Sequence, residues 1–89
     1  MAKVKMFTSA YCPYCSAAKA LLQSHGVADL EEVFVDGQPE LRAQMKAITG
    51  RTSVPQIFVG DVHVGGYDDM MALHREGKLE PLLAGQGQA

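Results

Sequence analysis

Lys3-Val4-Lys5-Met6-Phe7-Thr8-Ser9-Ala10-Tyr11-Cys12-Pro13-Tyr14-Cys15 is the stretch that decides how the chain is read. Lys3 to Thr8 mix polar/apolar alternation with an apolar end, which predicts a strand. Ser9-Ala10-Tyr11 then form a loop, and Pro13 suits the first turn of a helix, where its missing N–H is not needed. From Pro13 to about Ser24 the residues are good helix formers, with Ala17/Leu21 and Ala18/Leu22 paired at i,i+4. Gly26, after His25, is a natural C-terminal stop. The chain's two cysteines therefore fall at a strand–helix junction.

Working outward, Glu31-Glu32-Val33-Phe34-Val35-Asp36 reads as a second short strand ended by Gly37. Pro39 opens a second helix on which Leu41, Met45 and Ile48 recur at i, i+4 and i+7, and Gly50 ends it. Pro55 to Val59, Gly60-Asp61 and Val62 to Gly65 read as a β-hairpin with a short glycine-containing turn. Gly66-Tyr67-Asp68-Asp69 opens a third helix running through Met70, Met71 and Leu73 to Gly77. Leu79, Leu82 and Leu83 are placed to cap the core from a last short helix. The order β-α-β-α-β-β-α, with a right-handed crossover joining the first two strands in parallel, predicts an α/β fold with one mixed four-stranded sheet.

At 89 residues the chain is too short for two domains of at least about 50 residues and a linker. One domain is expected over 1–83, with a frayed tail over 84–89. Two cysteines are too few for a secreted disulfide framework. Eight Lys+Arg against ten Asp+Glu, net charge −2, argue against a nucleic-acid or anionic-membrane surface. No apolar run is long enough to span a bilayer, and Met1 to Lys5 lead into a strand with no signal-peptide pattern. A cytoplasmic monomer in a reducing compartment is expected.

There the cysteine pair needs a chemical explanation. Cys12 falls at the helix N-cap, where unpaired N–H groups and the positive end of the helix dipole favour a thiolate. Cys15, one turn later, is near enough to close a disulfide but deeper, so Cys12 should attack and Cys15 resolve. A structural zinc site needs four ligands; there is no second cysteine pair, and His25, His63 and His74 lack metal-ligand spacing. Inert cysteines would be expected in the core rather than flanking proline at a helix start. C-x-x-C beside a βαβ pattern instead reads as a thioredoxin-like redox motif. The topology also brings Cys12, Asp36-Gly37, Pro55 and Gly65-Gly66 to one rim of the sheet, where open α/β sheets bind ligands.

Three segments, Thr8 to Cys15, Ser53-Val54-Pro55-Gln56-Ile57-Phe58 and Gly65-Gly66-Tyr67-Asp68-Asp69, closely resemble the motifs of glutaredoxins, in particular the small bacterial dithiol type. The resemblance covers roughly residues 3–83. It implies a thioredoxin fold and glutathione-dependent thiol–disulfide exchange with glutathionylated or disulfide-containing proteins, ribonucleotide reductase among them, and no metal. The sequence alone leaves Pro55 open between an ordinary strand start and a cis turn; the resemblance implies cis. It implies further that the Val54 main chain pairs with the cysteinyl part of glutathione like an added strand, with Ser53 and Pro55 in the same binding site, and that Tyr14 flanks the bound sulfur. Gly66-Tyr67-Asp68 would hold the γ-glutamyl end, with Asp68 taking the amino group, although Asp68 and Asp69 equally suit helix caps.

The chain departs from the pattern at Ser9, where such relatives often carry lysine. Arg42 or Arg51 would then supply the positive charge; Lys19 reads as a surface charge. Two rival readings are a glutaredoxin-like thioredoxin served by thioredoxin reductase and a glutathione-ligated [2Fe–2S] scaffold. The Gly-Gly-Tyr-Asp-Asp turn weighs against the first, and Pro13 with Cys15 against the second.

Overall fold

The computed structural model describes residues 2–85. In chain order they form β1 (Val4–Thr8), α1 (Pro13–Ser24), β2 (Glu31–Phe34), α2 (Pro39–Thr49), β3 (Gln56–Val59), β4 (Val62–Gly65), α3 (Tyr67–Arg75) and α4 (Leu79–Leu83). The strands make one sheet in the order β2-β1-β3-β4. β1 pairs in parallel with β2, placing Phe7 beside Val33 and Thr8 beside Phe34. It pairs antiparallel with β3, placing Phe7 beside Gln56. β4 returns antiparallel to β3 with a register shift at Ile57/Phe58. This is the thioredoxin fold, a mixed sheet with helices on both faces.

Strand alternation decides which side chains reach which layer. Val4 and Met6 join Ala18, Leu22, Ile57, Val59, Met70, Leu79 and Leu83 in the larger core, under α1, α3 and α4. Phe7 points the other way, into a smaller cluster with Val35 and Met45 under α2. The Ala18/Leu22 pair supplies the buried stripe of α1, whereas Ala17 and Leu21 are only half-buried. The Ala2 N–H donates to the Leu83 carbonyl (2.7 Å), tying the start of the chain to α4.

Three features differ from the sequence reading. Regular β2 pairing stops at Phe34, but the Val35 N–H still donates to the Thr8 carbonyl (3.0 Å), so the two chains run side by side to Asp36. Ile48 was expected on the buried face of α2 but is 54% exposed. Ile48 borders an open cleft with Lys5, Phe58, Gly60 and Asp61 instead of packing into the core. Of the expected tail, Ala84 and Gly85 still form the turn after α4, their N–H groups donating to the Glu80 and Leu82 carbonyls at 3.0 Å each; residues 86–89 lie outside the described residues.

Met45 and Ile48 should separate cleanly in a stability measurement. By urea unfolding, Met45→Ala is expected to cost about 2–4 kcal/mol, because it empties the centre of the smaller core. Ile48→Lys should stay within about 0.5 kcal/mol of the parent protein.

Candidate active site

Cys12 is the N-cap of α1, with extended backbone (φ −107°, ψ 113°) and no side-chain cap on the first-turn amides. The helix therefore begins with unpaired N–H groups around a half-exposed sulfur. The Cys12 thiol donates to the Val54 carbonyl across the rim at 3.7 Å. Cys15 is a free thiol only 2% exposed. Burial pushes that thiol up from its ordinary range, and contact with Cys12 adds to this, while the Thr8 hydroxyl and the Ser9 backbone pull the other way. The two sulfurs thus occupy different environments: one at a helix end facing a groove, the other inside.

The loop carrying Cys12 is fastened to the end of the neighbouring strand. The Ser9 hydroxyl donates to one Asp36 carboxylate oxygen, and the Ala10 N–H donates to the other at 2.8 Å. The Tyr11 N–H in turn donates to the Ser9 Oγ at 3.2 Å. The Ser9 hydroxyl and the Ala10 N–H hold the Asp36 carboxyl below its ordinary value, with Arg42 adding a weaker attraction. Ser9, the position at which the resemblance led one to expect a lysine, is thus one half of a serine–aspartate clip.

Across the rim, the Val54–Pro55 peptide is cis, as the family resemblance implied. The loop leading to it is pinned from beneath by Gln56, which is fully buried and donates through Nε2 to the Ser53 carbonyl at 3.0 Å. The Gln56 Oε1 is met by His63 Nε2 at 2.8 Å, so that nitrogen carries the proton, since an amide oxygen can only accept. Burial, then the nearby Arg51, pushes His63 below its ordinary range and so favours the neutral ring. Upstream, the Arg51 N–H donates to Thr49 Oγ1 at 3.0 Å, which fixes where the Arg51 side chain leaves α2.

Arg51 then reaches over to α3. Its Nη1 donates to Asp69 Oδ2 at 2.8 Å, and the same oxygen accepts the Gly66 N–H at 2.8 Å, capping α3. Both contacts hold the Asp69 carboxyl below its ordinary value, the Arg51 guanidinium most strongly. Gly65 stands at φ +111°, and a Cβ there would collide with the Asp69 carboxylate, so this close approach requires glycine. With Asp69 acting as the cap, the exposed Asp68 is free of capping duty.

These elements bound a groove of about 200 Å³, walled by Tyr14, Arg51, Val54, Gly66, Tyr67 and Asp68, with Ser53 and Pro55 on the same loop also lining it. Tyr14, 62% exposed, leans on Tyr67 with ring centroids 6.0 Å apart. The structure thus brings together Tyr14, Arg51, Ser53, Val54, Pro55, Gly66, Tyr67 and Asp68, with Cys12 meeting the Val54 wall. Arg42 does not line the groove; it is exposed on α2, and its charge is felt at Asp36. Sequence reasoning missed Asp36 and Gln56 as fasteners, and it left the cap of α3 open between Asp68 and Asp69, which the structure gives to Asp69. It also treated His25 and His74 as separate, whereas they meet at 3.1 Å (Nε2 to Nδ1) at the far ends of α1 and α3.

A thioredoxin-fold sheet whose rim carries a cysteine pair beside a cis-proline loop defines a class, the thioredoxin-like redox proteins. Comparison narrows it: the glutaredoxin family model matches residues 4–64, and the chain belongs to the glutaredoxin family. A glutaredoxin of Pseudomonas aeruginosa is 54% identical over 84 residues, covering 94% of this chain and 99% of the relative. Glutaredoxin 3 of Escherichia coli K12 is 49% identical over 83 residues, covering 93% of this chain and 99% of the relative. Among solved structures, a buckwheat glutaredoxin–glutathione complex superposes with TM-score 0.86 at 35% identity, covering 97% of this chain and 80% of that one. A Brucella melitensis glutaredoxin superposes with TM-score 0.81 at 52% identity, covering 93% of this chain and 89% of that one.

The Arg51–Asp69 bridge has a signature in acid. A carboxyl depressed on folding stabilises the protein above its ordinary pKa of 3.8, and that contribution is lost as pH falls through the lower folded value. Both side chains are nearly half exposed, 48% and 43%, so the bridge is worth at most about 1 kcal/mol. Thermal melts should show Asp69→Asn below the parent protein at neutral pH, with the gap closing in acid. A gap independent of pH would contradict this assignment.

Proposed function

We propose that this chain is a dithiol, glutathione-dependent thiol–disulfide oxidoreductase acting on protein–glutathione mixed disulfides and on protein disulfides. The observation that carries the reading is the Cys12 sulfur facing the Val54 carbonyl at 3.7 Å, on the wall of a groove sized for a short peptide. A peptide thiol bound along Val54 as an added strand would bring its own sulfur to Cys12.

The groove suits glutathione group by group. The N-terminal amides of α3, at Tyr67 and Asp68, suit the γ-glutamyl carboxylate, and the Asp68 carboxylate suits the adjacent ammonium. Arg51 keeps guanidinium donors beyond the one given to Asp69, so it can also serve the glycyl carboxylate. Tyr14 and Tyr67 give an apolar flank for the disulfide.

In the monothiol course, the Cys12 thiolate attacks the glutathionyl sulfur of a mixed disulfide. The substrate thiolate leaves and takes a proton from solvent. A second glutathione thiolate attacks the glutathionyl sulfur now on Cys12, releasing glutathione disulfide and restoring Cys12. With a protein disulfide, Cys12 attacks one sulfur, Cys15 attacks Cys12 and frees the substrate as a dithiol, and two glutathiones reduce the Cys12–Cys15 bond. The half-exposed position of Cys12 and the burial of Cys15 support this division of labour. We place the protein in the cytoplasm, where a glutathione pool kept reduced would drive both courses.

Glutathione-coupled turnover tests this directly. Cys12→Ser should fall to background with every disulfide substrate. Cys15→Ser should keep deglutathionylation and lose most reduction of protein disulfides. If both variants keep full activity, or glutathione fails to drive the parent protein, the reading is wrong.

A further inference from the structure

A second cleft, of about 200 Å³, opens beside α1 and shares no lining residue with the groove. Thr8, Cys15, Ser16, Lys19, Glu32 and Phe34 are among its walls. Its construction follows from two periodicities. Along β2, Glu32 and Phe34 face α1 while Val33 packs on the α2 side. Along α1, Cys15 and Lys19 are one turn apart at i,i+4, which sets their Cβ atoms about 5–6 Å from each other. Lys19 Nζ is held over the cleft by Glu32 Oε2 at 3.2 Å. The buried thiol and an ammonium paired with a carboxylate thus line the same cleft.

We propose that Lys19 is the charge partner of Cys15 in the resolving step, with Glu32 as the residue that positions and tempers it; this rests on the dithiol reading above. The step balances as follows. Cys15 gives its proton to water in the cleft, and its electron pair attacks the Cys12 sulfur of a Cys12–glutathione disulfide. The Cys12–Cys15 bond forms, the bond to glutathione breaks, and the departing thiolate takes a proton from solvent. The glutathionyl sulfur is reduced and the protein's thiol pair is oxidised.

Burial opposes the negative sulfur needed at the start of that step. The other groups around Cys15 offer no positive charge: Thr8, the Ser9 backbone and the disulfide-bonded Cys12 are neutral, and Asp36, bonded to Ser9, is negative. An ammonium lining the same cleft should change the thiolate population by about three- to tenfold.

The test uses two variants that break the same ion pair. The protein is glutathionylated at Cys12 in acid, the pH is raised, and glutathione release is followed by rapid quench and mass spectrometry. Lys19→Met should slow release at neutral pH by about three- to tenfold and move its pH profile upward. Glu32→Gln should do the reverse, because it removes a negative charge and leaves the ammonium to Cys15. If both variants shift in the same direction, or neither shifts, Lys19 serves only structure and the proposal is overturned. The same pair in a Cys12→Ser background, read as the pH dependence of Cys15 alkylation by iodoacetamide, should show the same opposite shifts. That second readout needs no glutathione: opposite alkylation shifts with no glutathione release from the parent protein would sustain the Lys19–Cys15 coupling while refuting the dithiol reading.

Discussion

The placement of β1 inside the sheet, parallel to β2 on one side and antiparallel to β3 on the other, constrains everything at the functional end. With that pairing, β1 and β2 must finish, β3 must start and β4 must finish at one rim. Cys12, Asp36, Pro55 and Gly66 come from positions spread over more than half the chain, yet each follows or precedes a strand end at that rim. Side-chain bonds then join the loops pairwise. Asp36 ties the Cys12 loop to the end of β2, Asp69 ties the Arg51 loop to α3, and Cys12 meets Val54 between them. The sheet supplies proximity, and these few polar contacts supply register.

The same contacts decide how charge is distributed. Asp36 and Asp69 are both engaged by donors and held below the ordinary carboxyl range. Asp68 is left exposed at the start of α3. Arg51 is the cation lining the groove, and it is already shared with Asp69. A ligand carrying carboxylates at both ends must therefore draw on backbone amides at α3 as well as on Arg51. The clip from Ser9 and Ala10 to Asp36 holds a carboxylate beside the Cys12 loop, whose helix end carries unpaired amides.

Most of the fold was legible because the local signals agree with the global ones. Pro13, Pro39 and Gly50 mark helix ends where the structure has them, and the Gly60-Asp61 turn separates β3 from β4 as read. The cysteine positions followed from the same signals. Ile48 was misread because periodicity reports which face of a helix is apolar, not how closely that face is covered; here an open cleft lies beside it. The division between Asp68 and Asp69 was not legible either, since both suit a helix start; the guanidinium of Arg51, 18 residues away, settles which one caps. Asp36 with Ser9, and His25 with His74, meet only through tertiary packing, which no spacing rule encodes. Gln56 looked like a polar residue in a strand, and only its burial against Ser53 and His63 gives it a purpose.

The central claim is that the rim between α1, the Val54–Pro55 turn and the start of α3 is where glutathione lies while joined to Cys12. The direct test is an NMR map of the Cys15→Ser protein carrying glutathione on Cys12. The account predicts nuclear Overhauser contacts from the cysteinyl part to Val54 and Tyr14, and from the γ-glutamyl part to Tyr67 and Asp68. Contacts instead to Thr8, Lys19 and Phe34, in the cleft on the β2 side, would contradict it.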